Sequence, residues 1–189
     1  MAEPAALGSE EAALVAVQSM LADRPGALAA ARGMSHFGEH SIGWVAVSLL
    51  GAVLQPRRRR AWLVAGAGSF AAHAAAVLIK RIVRRPRPHH PAITVNVGTP
   101  SRLSFPSAHA TSTTAAAVLL GRATGLPLPA VLIAPMALSR MLLGVHYPSD
   151  VAVGVGVGAA VAAMAIRLDG RMPIIRVSNP AANPSEGGQ

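Results

Sequence analysis

The sequence predicts an all-α protein, a polytopic membrane bundle of about five or six helices with an N-terminal interfacial helix. Hydrophobic residues make up 52% of the chain and charged residues only 13%, which is apolar for a soluble domain. Residues 61–79 form a run of 19 residues without a formal charge, enough to cross about 30 Å of hydrocarbon. Residues 151–166 form another uncharged run. We therefore expect a multi-pass protein of the cell membrane.

Composition also excludes several classes of function. The chain has no cysteine, so disulfide frameworks, zinc–thiolate sites and thiol nucleophiles are absent. The net charge of +9 does not indicate nucleic acid as a partner, because aromatics are only 3% and basic residues cluster at the ends of apolar runs. Such clusters are typical of contacts with membrane lipids, the expected partners. They occur on both sides of the predicted bundle, so the sequence leaves its orientation open.

The predicted elements follow one another along three regions. Residues 1–36 are predicted to form an N-terminal interfacial helical segment, with Glu10 and Glu11 in the first turn of its first helix. Residues 37–168 form the predicted transmembrane domain, and residues 169–189 read as a disordered tail.

Within the transmembrane domain, residues 41–54, extended back toward Phe37, make a first membrane segment, and residues 61–79 make the second. A polar, proline-rich stretch then runs to Pro106, followed by helices predicted over residues 110–121 and 126–143. Because proline is tolerated at the first position of a helix, the last helix should begin near Pro148.

The last helix carries small residues at a regular spacing. Gly154, Gly158 and Ala162 recur every four residues, which permits close helix approach in lipid. This face could serve contacts within the chain or between subunits, so a homo-oligomer is a possible assembly.

Counting membrane crossings places three short polar segments on one side of the bundle. We call them the polar islands. The chemistry of these islands is that of phosphoryl transfer. Three cations and a hydroxyl suit a phosphate, since guanidinium groups match its oxygens and lysine adds a point charge. One imidazole can attack phosphorus, a carboxylate can orient that ring, and a second imidazole can protonate the leaving oxygen. The residues are Lys80 and Arg87, then Ser107 and His109, then Arg140, His146 and Asp150.

These motifs resemble the signature of the type 2 phosphatidic acid phosphatase (PAP2) superfamily, K-x6-R-P, P-S-G-H and S-R-x5-H-x3-D. The stretches "KRIVRRPRP", "PSAH" and "SRMLLGVHYPSD" carry the resemblance in the same order. One position departs from the pattern, because Ala108 stands where the family usually has glycine. A methyl group there narrows the backbone approach to a phosphate oxygen but leaves the peptide N–H available.

The resemblance implies a PAP2-type helical bundle and a role for each matched residue. His146 would be the nucleophile that forms a phosphohistidine, Asp150 would orient it, and His109 would act as general acid and then as general base. No metal and no cofactor would be required. The phosphoryl oxygens would be held by Lys80, Arg87, Ser107, Arg140 and the backbone N–H of Ala108.

Longer stretches narrow the resemblance to superfamily members that dephosphorylate a polyprenyl-linked phosphoribose for cell-wall arabinan. The expected substrate is accordingly a polyprenyl-linked phosphate. Undecaprenyl diphosphate, phosphatidylglycerol phosphate and phosphatidate remain alternatives, as does a membrane scaffold that binds phospholipid without turnover. The stretches are "SHFGEHSIGW", "KRIVRRPRP", "LSFPSAHATSTTAAA" and "MALSRMLLGVHYPSDVAVG".

Several ionisable residues lie outside the signature. Arg85 is expected to contact lipid headgroups rather than to take part in catalysis. His73, inside an apolar segment, is expected to be a neutral, hydrogen-bonded packing residue. For His36, Glu39 and His40, interfacial anchoring and contact with a substrate headgroup are equally compatible with the sequence.

Overall fold

The computed structural model describes residues 7–171, and over these residues the protein is a bundle of seven α-helices. Two short 3-10 helices, Glu39–Ser41 and Pro56–Arg58, join neighbouring helices. Only one isolated antiparallel bridge, between Pro86 and Leu103, is found in this part of the chain. The predicted all-α class is confirmed. The helices are α1 Ser9–Leu21, α2 Ala27–Gly38, α3 Ile42–Leu54, α4 Arg59–Val83, α5 Ala108–Thr124, α6 Leu128–Leu142 and α7 Pro148–Arg171.

Helix α5 lies at the centre of the bundle and is buried along most of its length, in contact with α3, α4, α6 and α7. It is rich in alanine and threonine, whose small side chains allow close packing in a membrane bundle. Several of its hydroxyls have hydrogen-bond partners nearby. Thr111 Oγ1 donates to the Ser107 carbonyl at 2.8 Å, and Trp44 Nε1 donates to Thr113 Oγ1 at 3.2 Å. These hydrogen bonds offset the cost of burying the two hydroxyls, whereas the buried Thr114 Oγ1 has no partner among the described residues.

Within residues 7–171, three helical stretches are long and apolar enough to cross a membrane, namely Ala27–Leu54, Pro56–Val83 and Pro148–Arg171. α6 is a shorter apolar helix. α4 and α7 run in opposite directions, because Arg60 near the start of α4 bonds to Asp169 near the end of α7 at 2.7 Å. The other ends of these two helices therefore lie together at the opposite end of the bundle, where the polar islands meet.

The first spanning stretch is longer than predicted and contains a sharp joint. α2 continues to Gly38, and α3 begins at Ile42. Between them His40 and Ser41 both adopt positive φ, 50° and 63°, which breaks the helix. The predicted division between residues 36 and 37 falls inside α2, and α7 continues to Arg171. The rest of the predicted tail, residues 172–189, lies outside the described residues.

Helix α7 begins at Pro148, as predicted, and packs closely on α5 through its small residues. A Cβ added at Gly154 would lie 2.8 Å from the Ser107 carbonyl oxygen, and one at Gly158 would overlap the Thr111 carbonyl and lie 2.8 Å from Thr114 Cβ. The small-residue face is therefore used within the chain.

We expect Gly158→Ala to destabilise the bundle, because the added methyl group has no space against α5. Overpacking of this kind costs about 1–3 kcal/mol, which thermal unfolding of detergent-purified protein would show as a lower melting temperature. Gly156→Ala is the matched control, since nothing lies within 4 Å of a Cβ at that exposed position of the same helix. Equal melting temperatures for the two variants would contradict this account of the α5–α7 contact.

Candidate active site

A cavity of about 430 Å³ lies at the polar end of the bundle, with walls from α2, α4, α5, α6 and the loops between them. Six of the eight sequence-predicted site residues line it, and the other two, Ser107 and Asp150, are fully buried behind its wall. The structure therefore brings the three polar islands together. The lining residues are Lys80, Arg87, Ala108, His109, Arg140 and His146.

The start of α7 places Asp150 beside His146. Asp150 lies in the first turn of the helix, where its Oδ2 accepts a hydrogen bond from the backbone N–H of Tyr147 at 2.8 Å. The same oxygen lies 3.7 Å from Nδ1 of His146, an ion-pair distance rather than a hydrogen bond. Nδ1 has no hydrogen-bond partner among the described residues. Asp150 is thus the group positioned to bind it.

The surroundings of His146 keep its ring neutral. The residue is 2% exposed, and burial lowers the pKa of His146 well below its usual range, with Arg140, Arg87 and Lys80 lowering it further. Its Nε2 lies 3.3 Å from Nη1 of Arg87. Because a guanidinium only donates, Nε2 is the acceptor and carries the lone pair, while the Nδ1–H faces the carboxylate. This tautomer is the one a nucleophile would need.

His109 lies in the first turn of α5, with its ring against α2. Its Nε2 is 2.9 Å from the carbonyl oxygen of Ser35. Because a carbonyl only accepts, this nitrogen carries a proton. A Cβ added at Gly38 would lie 3.0 Å from Cδ2 of His109, so the backbone of α2 directly borders the ring. Helix α2 therefore forms one wall of the site, which the signature motifs do not indicate.

The ammonium group of Lys80 organises the loop before α5. Its Nζ donates to the carbonyls of Leu103, Ser104 and Pro106 at 3.3, 2.8 and 2.7 Å. Three carbonyls match the three N–H groups of an ammonium ion. Lys80 thus supplies positive charge to the cavity while its hydrogen-bond donors hold the loop in place.

The two arginines are fixed differently. Arg87 donates from Nε to the Ser101 carbonyl at 2.9 Å and from Nη1 to the Val145 carbonyl at 2.6 Å. Burial lowers the pKa of Arg87 to about 10, so it stays charged at neutral pH. Arg140 is 1% exposed and donates from Nη1 to Ser35 Oγ at 2.8 Å, but its Nε has no partner among the described residues. A buried donor without a partner is available to an anionic ligand.

Ser107 and Ala108 form the N-terminus of α5. Ser107 is the N-cap, and its Oγ accepts from the backbone N–H of Ala110 at 3.4 Å. Its own N–H donates to the Asp150 carbonyl at 2.9 Å, which ties α5 to α7. Ala108 lines the cavity, so the positive end of the helix dipole lies at the site.

Arg85 contacts the site instead of facing lipid headgroups, which differs from the sequence-based expectation. Its Nη1 donates to Asp150 Oδ1 at 3.0 Å and to Ser149 Oγ at 2.7 Å. Its Nη2 pairs with Glu10 of α1, and its guanidinium lies 4.1 Å from the centre of the Tyr147 ring. Glu10 also accepts from the backbone N–H of Ser149 at 3.0 Å. Helix α1 is therefore connected to the carboxylate behind His146.

The remaining lining residues include a second polar group. His36, Glu39, His40 and His73 border the same cavity. No group of three or more histidine, aspartate or glutamate side chains within residues 7–171 has the arrangement of a metal site.

Comparisons with known proteins agree with the fold and the motifs. Residues 61–172 match the PAP2 superfamily. The chain is 75% identical over 164 residues, 87% of its length, to a decaprenylphosphoryl-5-phosphoribose phosphatase of Mycobacterium tuberculosis, covering 92% of that protein. It is 70% identical over 145 residues, 77% of its length, to a protein of the same description from Mycolicibacterium smegmatis, covering 81% of that protein.

Two solved structures share the fold at 18% sequence identity. The transmembrane PAP2-type phosphatidylglycerolphosphate phosphatase of Bacillus subtilis superposes with a TM-score of 0.68, over 90% of each chain. LpxE of Aquifex aeolicus superposes with a TM-score of 0.62, over 85% of this chain and 96% of its own. With its apolar spanning helices and with a family match over more than half of its length, the chain is a membrane-embedded member of the PAP2 superfamily.

Proposed function

We propose that this protein is a lipid-phosphate phosphatase that removes the 5-phosphate of decaprenylphosphoryl-5-phosphoribose. The product is decaprenylphosphoryl-ribose, which would serve the synthesis of a cell-wall arabinan precursor. The observation that carries the reaction type is the convergence of a neutral His146, His109 and the cations Lys80, Arg87 and Arg140 on one cavity. The high identity to the two mycobacterial relatives supports the substrate.

The first step forms a phosphohistidine. Nε2 of His146 attacks phosphorus, and the bond between phosphorus and the 5-oxygen of the ribose breaks. His109 takes part in this step as an imidazolium: its Nε2–H stays on the Ser35 carbonyl, and its Nδ1 proton passes to the leaving oxygen, which leaves a neutral ring. The negative charge of the bound phosphate favours this protonated form. Asp150 accepts a hydrogen bond from Nδ1–H of His146 and thereby stabilises the positive charge that develops on the ring.

The second step releases inorganic phosphate. His109, now without its proton, takes one from a water molecule that attacks the phosphohistidine. The P–N bond breaks and His146 returns to its neutral form. No step draws on a metal ion, because arginine and lysine side chains supply the positive charge that phosphoryl transfer needs.

Each cation has a distinct part in this mechanism. Arg140 offers a buried Nε–H to a phosphoryl oxygen, and Arg87 lies beside the attacking nitrogen. Lys80 acts through its charge and through the loop that it holds. Ser107 caps α5 and thereby fixes the N–H of Ala108 at the cavity.

Arg85 and Glu10 hold the Asp150 carboxylate in the orientation that faces His146. Arg85 occupies Oδ1 of the carboxylate, which leaves Oδ2 directed toward His146. Glu10 in turn fixes the guanidinium through its second nitrogen. Arg85 is therefore a positioning residue, since it acts on the reaction through Asp150.

The substrate assay tests the proposed function. Detergent-purified protein, with EDTA present, should release phosphate from decaprenylphosphoryl-5-phosphoribose faster than from undecaprenyl diphosphate, phosphatidylglycerol phosphate or phosphatidate. His146→Ala should lower turnover by at least about a thousandfold because it removes the nucleophile. His89→Ala, an exposed loop histidine outside the cavity, is the control and should retain full activity.

Other results of this assay have defined meanings. Preference for another lipid would retain the mechanism and refute the substrate. Absence of hydrolysis by folded protein for every lipid would instead support a scaffold that binds phospholipid without turnover.

A double-mutant cycle tests the role of Arg85. Arg85→Gln should lower kcat about tenfold or more and change KM by less than about twofold, because a charge-assisted hydrogen bond to the orienting carboxylate is lost. In an Asp150→Asn background the same substitution should have little further effect. Arg102→Gln, at an exposed arginine, is the control. Independent, additive losses from Arg85→Gln and Asp150→Asn would show that Arg85 does not act through Asp150.

A further inference from the structure

The cavity extends beyond the residues that the proposed reaction uses. Besides His109, Arg140 and His146, its lining includes several further polar side chains, among them Glu39, His40 and His73. Phosphoryl transfer as written above assigns none of these three a task.

Among these three side chains, His73 has the clearest unmet hydrogen-bonding capacity. It lies on α4 seven residues before Lys80, two helical turns away and on the same face. Its Nδ1 is inaccessible to solvent and has no hydrogen-bond partner among the described residues. The expected role of a hydrogen-bonded packing residue is therefore not met at this nitrogen. A buried polar atom without a partner is costly unless a ligand or a water molecule binds it.

His40 is held at the rim of the cavity by a strained backbone. It adopts a φ of 50°, which non-glycine residues rarely do, and Ser41 after it has a φ of 63°. The joint is anchored by a hydrogen bond of 3.2 Å between the hydroxyls of Ser41 and Ser69 on α4. The ring centres of His40 and His73 are 5.7 Å apart as a result. Strain of this kind persists where the surrounding structure fixes a functional side chain.

The chemistry of the three side chains selects the class of ligand. An imidazole in its neutral form offers one donor and one acceptor, and a carboxylate accepts. Such a set suits neutral hydroxyl groups.

We propose that His73, His40 and Glu39 form a subsite that binds the ribosyl hydroxyls of the substrate while its 5-phosphate lies against the cations. This inference rests on the proposed function, which it deepens by naming residues that distinguish a sugar phosphate from other lipid phosphates. Hydrogen bonds from a site to substrate hydroxyls discriminate strongly against analogues that lack them, because the buried polar groups then lose their partners.

The test compares decaprenylphosphoryl-5-phosphoribose with its 2-deoxy and 3-deoxy analogues. The unsubstituted protein should show a kcat/KM about tenfold lower for at least one analogue, the effect of one lost hydrogen bond. His73→Ala should lower kcat/KM for the ribosyl substrate by a similar factor and abolish the discrimination between it and that analogue. His40→Gly is a second variant that suits the positive φ at this position and should weaken the discrimination without disturbing the fold. His89→Ala should leave the discrimination unchanged.

The outcomes separate the subsite from the proposed function. If the unsubstituted protein hydrolyses none of the three lipids, the proposed function fails and the subsite fails with it. If it hydrolyses all three equally well, or if both variants keep its discrimination, the subsite alone is refuted. An equal loss on all three substrates in a variant that melts at the normal temperature would likewise refute the subsite.

Discussion

The rest of the structure depends on how positive charge is accommodated inside an apolar bundle. Lys80 and Arg140 are buried, Arg87 is largely so, and the carboxylate buried beside them is that of Asp150. Isolated buried charges are very unfavourable, so each must be hydrogen-bonded. Backbone carbonyls in the loops before α5 and before α7 accept most of these hydrogen bonds. The irregular, proline-rich stretch between α4 and α5 is thus shaped by the cations that it surrounds, and its carbonyls are satisfied by them in turn.

The same arrangement explains why α5 can be the central helix. A helix beginning beside buried cations would be unfavourable if its positive end were directed at them without an anion. Here its first residues border the space where a phosphate would lie, and Ser107 caps it. Close packing against Gly154 and Gly158 of α7 then fixes the distance between α5 and Asp150. Electrostatics and packing therefore specify one position for the start of each helix.

Sequence reasoning could predict the fold and the gathering of the signature residues, because both depend on local patterns. Uncharged runs indicate spans, and Pro148 marks the start of α7. It could not find the contacts of Arg85 with Glu10 and with Asp150, which join residues 75 and 65 positions apart. Nor does any local pattern show that α2 borders His109 through Ser35, 74 positions away. Such contacts follow from how helices pack, which the period of a hydrophobic pattern does not determine.

The contact between Glu10 and Ser149 also fixes which end of the bundle carries α1. α1 lies at the start of α7, beside the catalytic cavity, whereas the last described turn of α7 pairs with the start of α4 at the far end. The 24 residues of α7 separate these ends by about 36 Å, the scale of a bilayer. An epitope attached ahead of α1 would therefore be exposed on the same membrane face as the phosphate-releasing pocket. Antibody labelling of intact and permeabilised cells would thus report the compartment into which phosphate is discharged.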